Sequence, residues 1–120
     1  MSYEVSSGNV YADLGLEDAE ELAAKAGLVR EIRRTMDRRS LTQLQVAKLT
    51  GVDQPTLSKL LRGRTSNFSF DRLTEMLRDL GRNVVLLVEE ELESPTKPSS
   101  KGHVFVASAT ASKFLELSGQ

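Results

Sequence analysis

LTQLQVAKLTGVDQPTLSKLLRGR, residues 41–64, is the stretch that decides the fold. Thr42 and Gln45 stand three apart, as the two ends of a capping box must, and together they satisfy two backbone N–H groups at a helix start. The helix that opens there carries Val46, Ala47 and Leu49 and runs into Gly51. Glycine permits the left-handed backbone that ends a helix and turns the chain. Val52 can plug the corner. Asp53 is a good N-cap for a second helix, with Pro55 in its first turn, where proline is tolerated. That second helix bears Leu57, Leu60 and Leu61 on one side and stops at Gly63. Two short helices, a tight turn and buried residues at helical spacing predict a helix-turn-helix. Ala47 fits this, because helices that cross closely need a small side chain at the contact.

Working outward, residues 18–39 predict a helix. Leu22, Ala26, Val29, Ile32 and Met36 recur at three- and four-residue steps and form an apolar stripe. Acidic residues near its start and Arg38 and Arg39 near its end suit the helix dipole. Gly27 weakens the middle, so a break there is an open alternative. After the motif, a polar loop is pinned by Phe68. Ser69 then caps a helix over 70–80 with Leu73, Met76, Leu77 and Leu80 inward and Gly81 at its end.

Residues 83–88, NVVLLV, are short and β-branched, and read as a strand. A lone strand cannot satisfy its own backbone, so Val84, Val85, Leu86, Leu87 and Val88 are expected to pair with the same segment of a second copy. Pairing within the chain is the alternative. Residues 104–106, VFV, offer a short strand that would extend such a ribbon. The fold expected is mainly α, a bundle of four to five helices plus this C-terminal β-strand. Residues 1–17 form an N-terminal arm, 18–90 the folded domain, and 91–120 a Pro/Ser-rich linker and a tail that is either disordered or folds on a partner.

Charge and composition narrow the function. The net charge is −1, but it is unevenly spread. Residues 1–27 hold one Lys and six acids, residues 28–64 nine Lys/Arg and three acids, and residues 65–120 six Lys/Arg and eight acids. The basic middle coincides with the helix-turn-helix, as a phosphate-facing surface requires, although a solvated face beside acidic ends gives the same segregation. There is no cysteine and a single histidine, His103. No Gly-rich phosphate loop or nucleophile–base grouping is present, and the acidic run 89–93 has no histidine beside it. The chain therefore reads as a non-enzyme with no catalytic residue, cofactor or metal. No apolar run approaches the roughly 18 residues that span a bilayer. The N-terminus has no basic-then-apolar leader, which fits a cytoplasmic protein.

Residues 41–64 resemble the Cro/repressor-type, or Xre, helix-turn-helix family. The resemblance lies in Thr42, Gln43, Ala47, Gly51 and Val52, followed by Gln54, Pro55, Thr56, Ser58 and Gly63. A wider likeness over about residues 6–90 is to HigA-type antitoxins of toxin–antitoxin operons. It is carried by SSGNVYADLGL, LLRGR, FSFDRL, LGR and the short strand. The resemblance implies a lambda-repressor-like bundle and a homodimer on a palindromic operator in double-stranded DNA, with the second helix of the motif in the major groove. It also implies a transcriptional repressor that neutralises a cognate toxin and represses its own operon. A stand-alone Xre-type regulator without a toxin is the alternative. Carried over by position, Gln43 would touch phosphate and brace Gln54, and Gln54 would reach a base edge. Pro55 would offer only apolar contact, Thr56 and Ser58 would meet phosphate or base, and Lys59 would point into the groove. Arg62, Arg64 and Asn67 would meet the backbone. The N-terminal arm and first helix are the expected toxin surface.

Overall fold

The computed structural model describes residues 19–90 and 102–109. Four helices follow in order among them: α1 (Ala19–Arg39), α2 (Gln43–Thr50), α3 (Gln54–Leu61) and α4 (Phe70–Asp79). The arm 1–17, the linker 91–101 and the last residues, 110–120, lie outside the described residues.

Local chemistry fixes three of the four helix starts. Thr42 Oγ1 accepts from the Gln45 N–H at 3.1 Å, and Gln45 Oε1 accepts from the Thr42 N–H at 2.8 Å, which completes the capping box. Asp53 caps α3 and Ser69 caps α4, each accepting from the backbone N–H three residues on. Such a cap contributes about 0.5–2 kcal/mol. The ends share a second device. At α1, α3 and α4 one N–H reaches back five residues and the preceding one reaches back three. The pairs are Leu41 to Met36 with Ser40 to Asp37, Arg64 to Lys59 with Gly63 to Leu60, and Arg82 to Leu77 with Gly81 to Arg78. This closure needs a left-handed residue at its centre. Gly63 (φ 100°) and Gly81 (φ 90°) supply it without strain, and Ser40 (φ 53°) supplies it as a non-glycine.

The core is aliphatic. Ile32, Val46, Leu57, Leu60, Leu73 and Met76 are fully buried, and Leu28, Val29, Val52, Leu61, Phe68, Leu77 and Leu80 close around them. Each large apolar side chain withdrawn from water contributes roughly 1.5–3 kcal/mol. α1 lies mainly against α4, and α2 packs on α3 and α4. Two arginines tie the bundle through helix ends. Arg72 on α4 donates to Thr50 O at the end of α2, at 2.7 Å, and Arg39 at the end of α1 donates to Leu80 O at the end of α4. Each brings positive charge to the negative end of a neighbouring helix.

Two expectations need correction, and the strand expected at 83–88 is not formed in a single copy. α1 is continuous through Gly27, and its buried face is rotated from the expected stripe. Ala24, Lys25, Gly27, Leu28, Val29, Glu31, Ile32 and Thr35 are buried, whereas Leu22 and Ala26 are exposed. Next, no strand occurs among the described residues. Residues 83–90 are non-helical and exposed, with Leu86 at 84% and Val88 at 90% accessibility. A ladder requires a second strand, and a single copy supplies none here. Last, 104–106 does not extend a ribbon along 83–88. Instead Val106 packs against the core beside Gly27 on α1.

Sequence reasoning also missed a buried ionic cluster. Glu31 on α1 is only 3% exposed. Its carboxylate accepts from Arg82 at 3.2 Å and from Arg34 at 3.3 Å. Arg82 also donates to Thr35 Oγ1 at 2.9 Å, to Glu31 O at 3.3 Å and to Ser108 Oγ at 3.4 Å. The closure at the end of α4 delivers Arg82 to this place.

Candidate nucleic-acid interface

α2 and α3 present the candidate site, with α3 as its centre. Leu57, Leu60 and Leu61 turn α3 inward. That leaves Gln54, Pro55, Lys59 and Arg62 exposed and Thr56 and Ser58 half-exposed on its outer side. Gln43 is half-buried at the first turn of α2, and no hydrogen bond joins it to Gln54. The expected brace between the two amides is thus not formed in the free protein.

The closure after α3 has a consequence for the site. By turning the chain at Gly63 it carries Arg64 back alongside the helix. Thr56, Lys59, Arg64, Ser66, Asn67 and Phe68 line one shallow cleft. Phe68 is its buried floor, anchored in the core. Four of the expected contact residues, Thr56, Lys59, Arg64 and Asn67, are therefore brought together from the helix and the following loop. Ser66 joins them unforeseen; only its loop position between Arg64 and Asn67 marked it. Pro55, Gln54 and Arg62 lie on the exposed face without lining this cleft.

Two hydroxyls on α3 already have partners. Thr56 Oγ1 donates to the Asp53 carboxylate, 2.8 and 3.0 Å from its two oxygens, and the Thr56 N–H donates to the same group at 3.2 Å. These bonds, the side-chain one first, hold the Asp53 carboxyl below its ordinary pKa, with a smaller pull from the Lys59 charge. Ser58 Oγ accepts from Arg62 Nη1 at 2.8 Å, one turn further on. Lys59 and Arg64 carry positive charge to a surface where Asp53 is the acid in α3's own cap. Such a surface can attract a phosphate backbone and present amide and hydroxyl groups to base edges. Among the described residues no group of three or more metal-ligating side chains occurs, and no helix is long and apolar enough to cross a membrane.

A helix-turn-helix domain family matches the chain over residues 10–89. The chain belongs to that family. The match spans α1 to α4 and the exposed segment after them, so the helix-turn-helix domain is larger than its two-helix motif. A solved structure of a protein described as an XRE family transcriptional regulator is also similar. It shares 28% sequence identity and a TM-score of 0.68, covering 78% of this chain and 100% of its own. No curated protein matches the sequence. The helix-turn-helix domain, of Xre type, is thus that of a DNA-binding regulator.

Proposed function

We propose that this protein is a sequence-specific transcriptional repressor that binds a palindromic operator as a homodimer, with α3 in the major groove. The observation that carries the reading is the cleft beside α3, where Lys59, Arg64, Thr56 and Asn67 converge on one exposed face. Phosphate contacts from Arg62, Arg64 and Asn67 supply salt-dependent affinity. Gln54 and Lys59 supply sequence choice, with adenine N6/N7 the best geometric match for the Gln54 amide and guanine an acceptor for Lys59. Gln43 would approach phosphate from the start of α2, Pro55 would make apolar contact, and Ser58 would contribute a hydroxyl. The exposed apolar residues Val84–Val88 support the second half of the reading, since a two-stranded ribbon between copies would cover them. We further assign the protein to the autoregulating antitoxins, on the likeness of residues 6–90 to HigA-type proteins. A toxic product of an adjacent gene, neutralised by this chain, would separate that assignment from a stand-alone regulator.

The test is binding-site selection from random double-stranded DNA, followed by affinity measurements on the selected palindrome. Gln54→Ala and Lys59→Ala should each weaken binding by about 1–3 kcal/mol and relax the preference at one position per half-site. Uniform weakening across all sequences would place these side chains on the phosphate backbone instead. Absence of any selected sequence would reject the function.

A further inference from the structure

We propose that the face of α1 centred on Gly27 is a groove for an extended peptide, and that its resident occupant is the chain's own segment 102–109, docked in cis. Three attachments hold the segment. At one end the Glu20 carboxylate accepts from the Val104 N–H at 2.6 Å and lies 3.2 Å from His103 Nδ1. In the middle Val106 sits over Gly27. A Cβ placed on residue 27 would stand 2.8 Å from the Val106 Cβ and 3.2 and 3.3 Å from its two methyls, so only glycine leaves room. At the other end Ser108 Oγ accepts from Arg82, which is itself held by Glu31 and Thr35 of α1.

The spacing is that of an extended chain on a helix. Val104 attaches through its backbone N–H, and Val106 and Ser108 attach through their side chains, while Phe105 between Val104 and Val106 is 84% exposed; side chains two apart face the helix, as along an extended chain. From Val104 to Ser108 an extended chain covers about 14 Å. From Glu20 to Glu31 a helix rises about 16 Å. The segment therefore lies parallel to α1, with its contacts in register with those of the helix. This also accounts for a glycine inside a 21-residue helix, where it costs about 1 kcal/mol relative to alanine. The groove needs the missing side chain. Arg82 at the end of α4 and Ser108 meet at the same point.

Two measurements on the full chain test the proposal. Gly27→Ala keeps or improves the helix but fills the notch. Hydrogen exchange at the Val104 amide, which donates to Glu20, should accelerate roughly tenfold or more, with no loss of thermal stability of the bundle. Unchanged exchange would overturn the groove, as would a Val104 amide that is unprotected in the wild-type protein. The second is Gly27→Cys with Val106→Cys, in a chain that has no other cysteine. The two positions lie within about 1 Å of the Cβ separation of a disulfide. Oxidation should yield a cross-link within one chain. A chain-to-chain cross-link would overturn the cis placement, and no cross-link would overturn the docking.

Discussion

Arg82→Met is the most informative perturbation of the fold. The guanidinium of Arg82 makes four contacts, to the Glu31 carboxylate, Glu31 O, Thr35 Oγ1 and Ser108 Oγ, at 3.2, 3.3, 2.9 and 3.4 Å. Methionine keeps much of the stem and removes all four. What remains is a carboxylate at 4% side-chain exposure whose other cationic partner, Arg34, is itself 53% exposed. Removing one member of a buried ion pair costs about 3–5 kcal/mol when the other is left alone. Arg34 stays, and Thr35 Oγ1 still donates to Glu31 O at 2.9 Å, so about 2–3 kcal/mol is expected. For a domain of this size that corresponds to a fall in Tm of roughly 10–20 °C. Urea denaturation of wild type, Arg82→Met, Glu31→Gln and the double variant closes a cycle. The coupling energy should exceed about 1 kcal/mol, and the double variant should be more stable than Arg82→Met alone. A loss under about 0.5 kcal/mol for Arg82→Met, or a coupling near zero, would refute the claim that Arg82 neutralises Glu31.

Ser40→Gly should stabilise the protein by about 1 kcal/mol, because Ser40 holds a left-handed conformation that costs a side chain roughly that much; a melting curve with no rise in Tm would count against it. Asp53 has a depressed pKa in the folded state, so its contribution is complete above the ordinary carboxylate pKa and is lost as pH falls through the folded value. Asp53→Asn should therefore flatten the acid limb of the stability–pH profile and leave DNA-free stability near neutrality closer to wild type; an unchanged acid limb would be the contrary result. Removal of residues 83–90 should give monomers in sedimentation, and a dimer that persists would place the interface elsewhere.

The helix-turn-helix was legible in the sequence because its instructions are local. Thr42 with Gln45, Asp53, Gly51 and Gly63 act on backbone groups within a few residues, and each did what its chemistry required. Phe68, Leu73, Met76 and Leu77 were legible for a similar reason, since helical spacing after a Ser cap leaves one apolar face. α1 was harder. Its apolar residues are broad enough around the helix to support two stripes, and the choice between Leu22 with Ala26 and Ala24 with Leu28 is made by what packs on it. Lys25 and Glu31 were invisible as buried residues because pattern assigns charge to the surface. Glu31 is buried only because Arg82, 51 positions later, arrives to pair with it. Gly27 carried a signal of the opposite sign to its use. It reads as a weakness in a helix until Val106 is seen against it. Within the site, residue type located the exposed face, whereas the turn after Gly63 decided which of those side chains share the cleft.

The hydrogen bond from Thr56 to Asp53 divides labour between the two hydroxyls of α3. A hydroxyl owns one hydrogen and two lone pairs. Thr56 has committed its hydrogen to a carboxylate, so at the proposed operator it would only accept. Phosphate oxygens have nothing to give it, whereas the exocyclic amino group of adenine or cytosine does. Ser58 is the reverse, since it accepts from Arg62 and keeps its own hydrogen to offer to a phosphate. Two chemically alike side chains, two residues apart, are thus polarised by their neighbours in the free protein, one left to accept and the other left to donate.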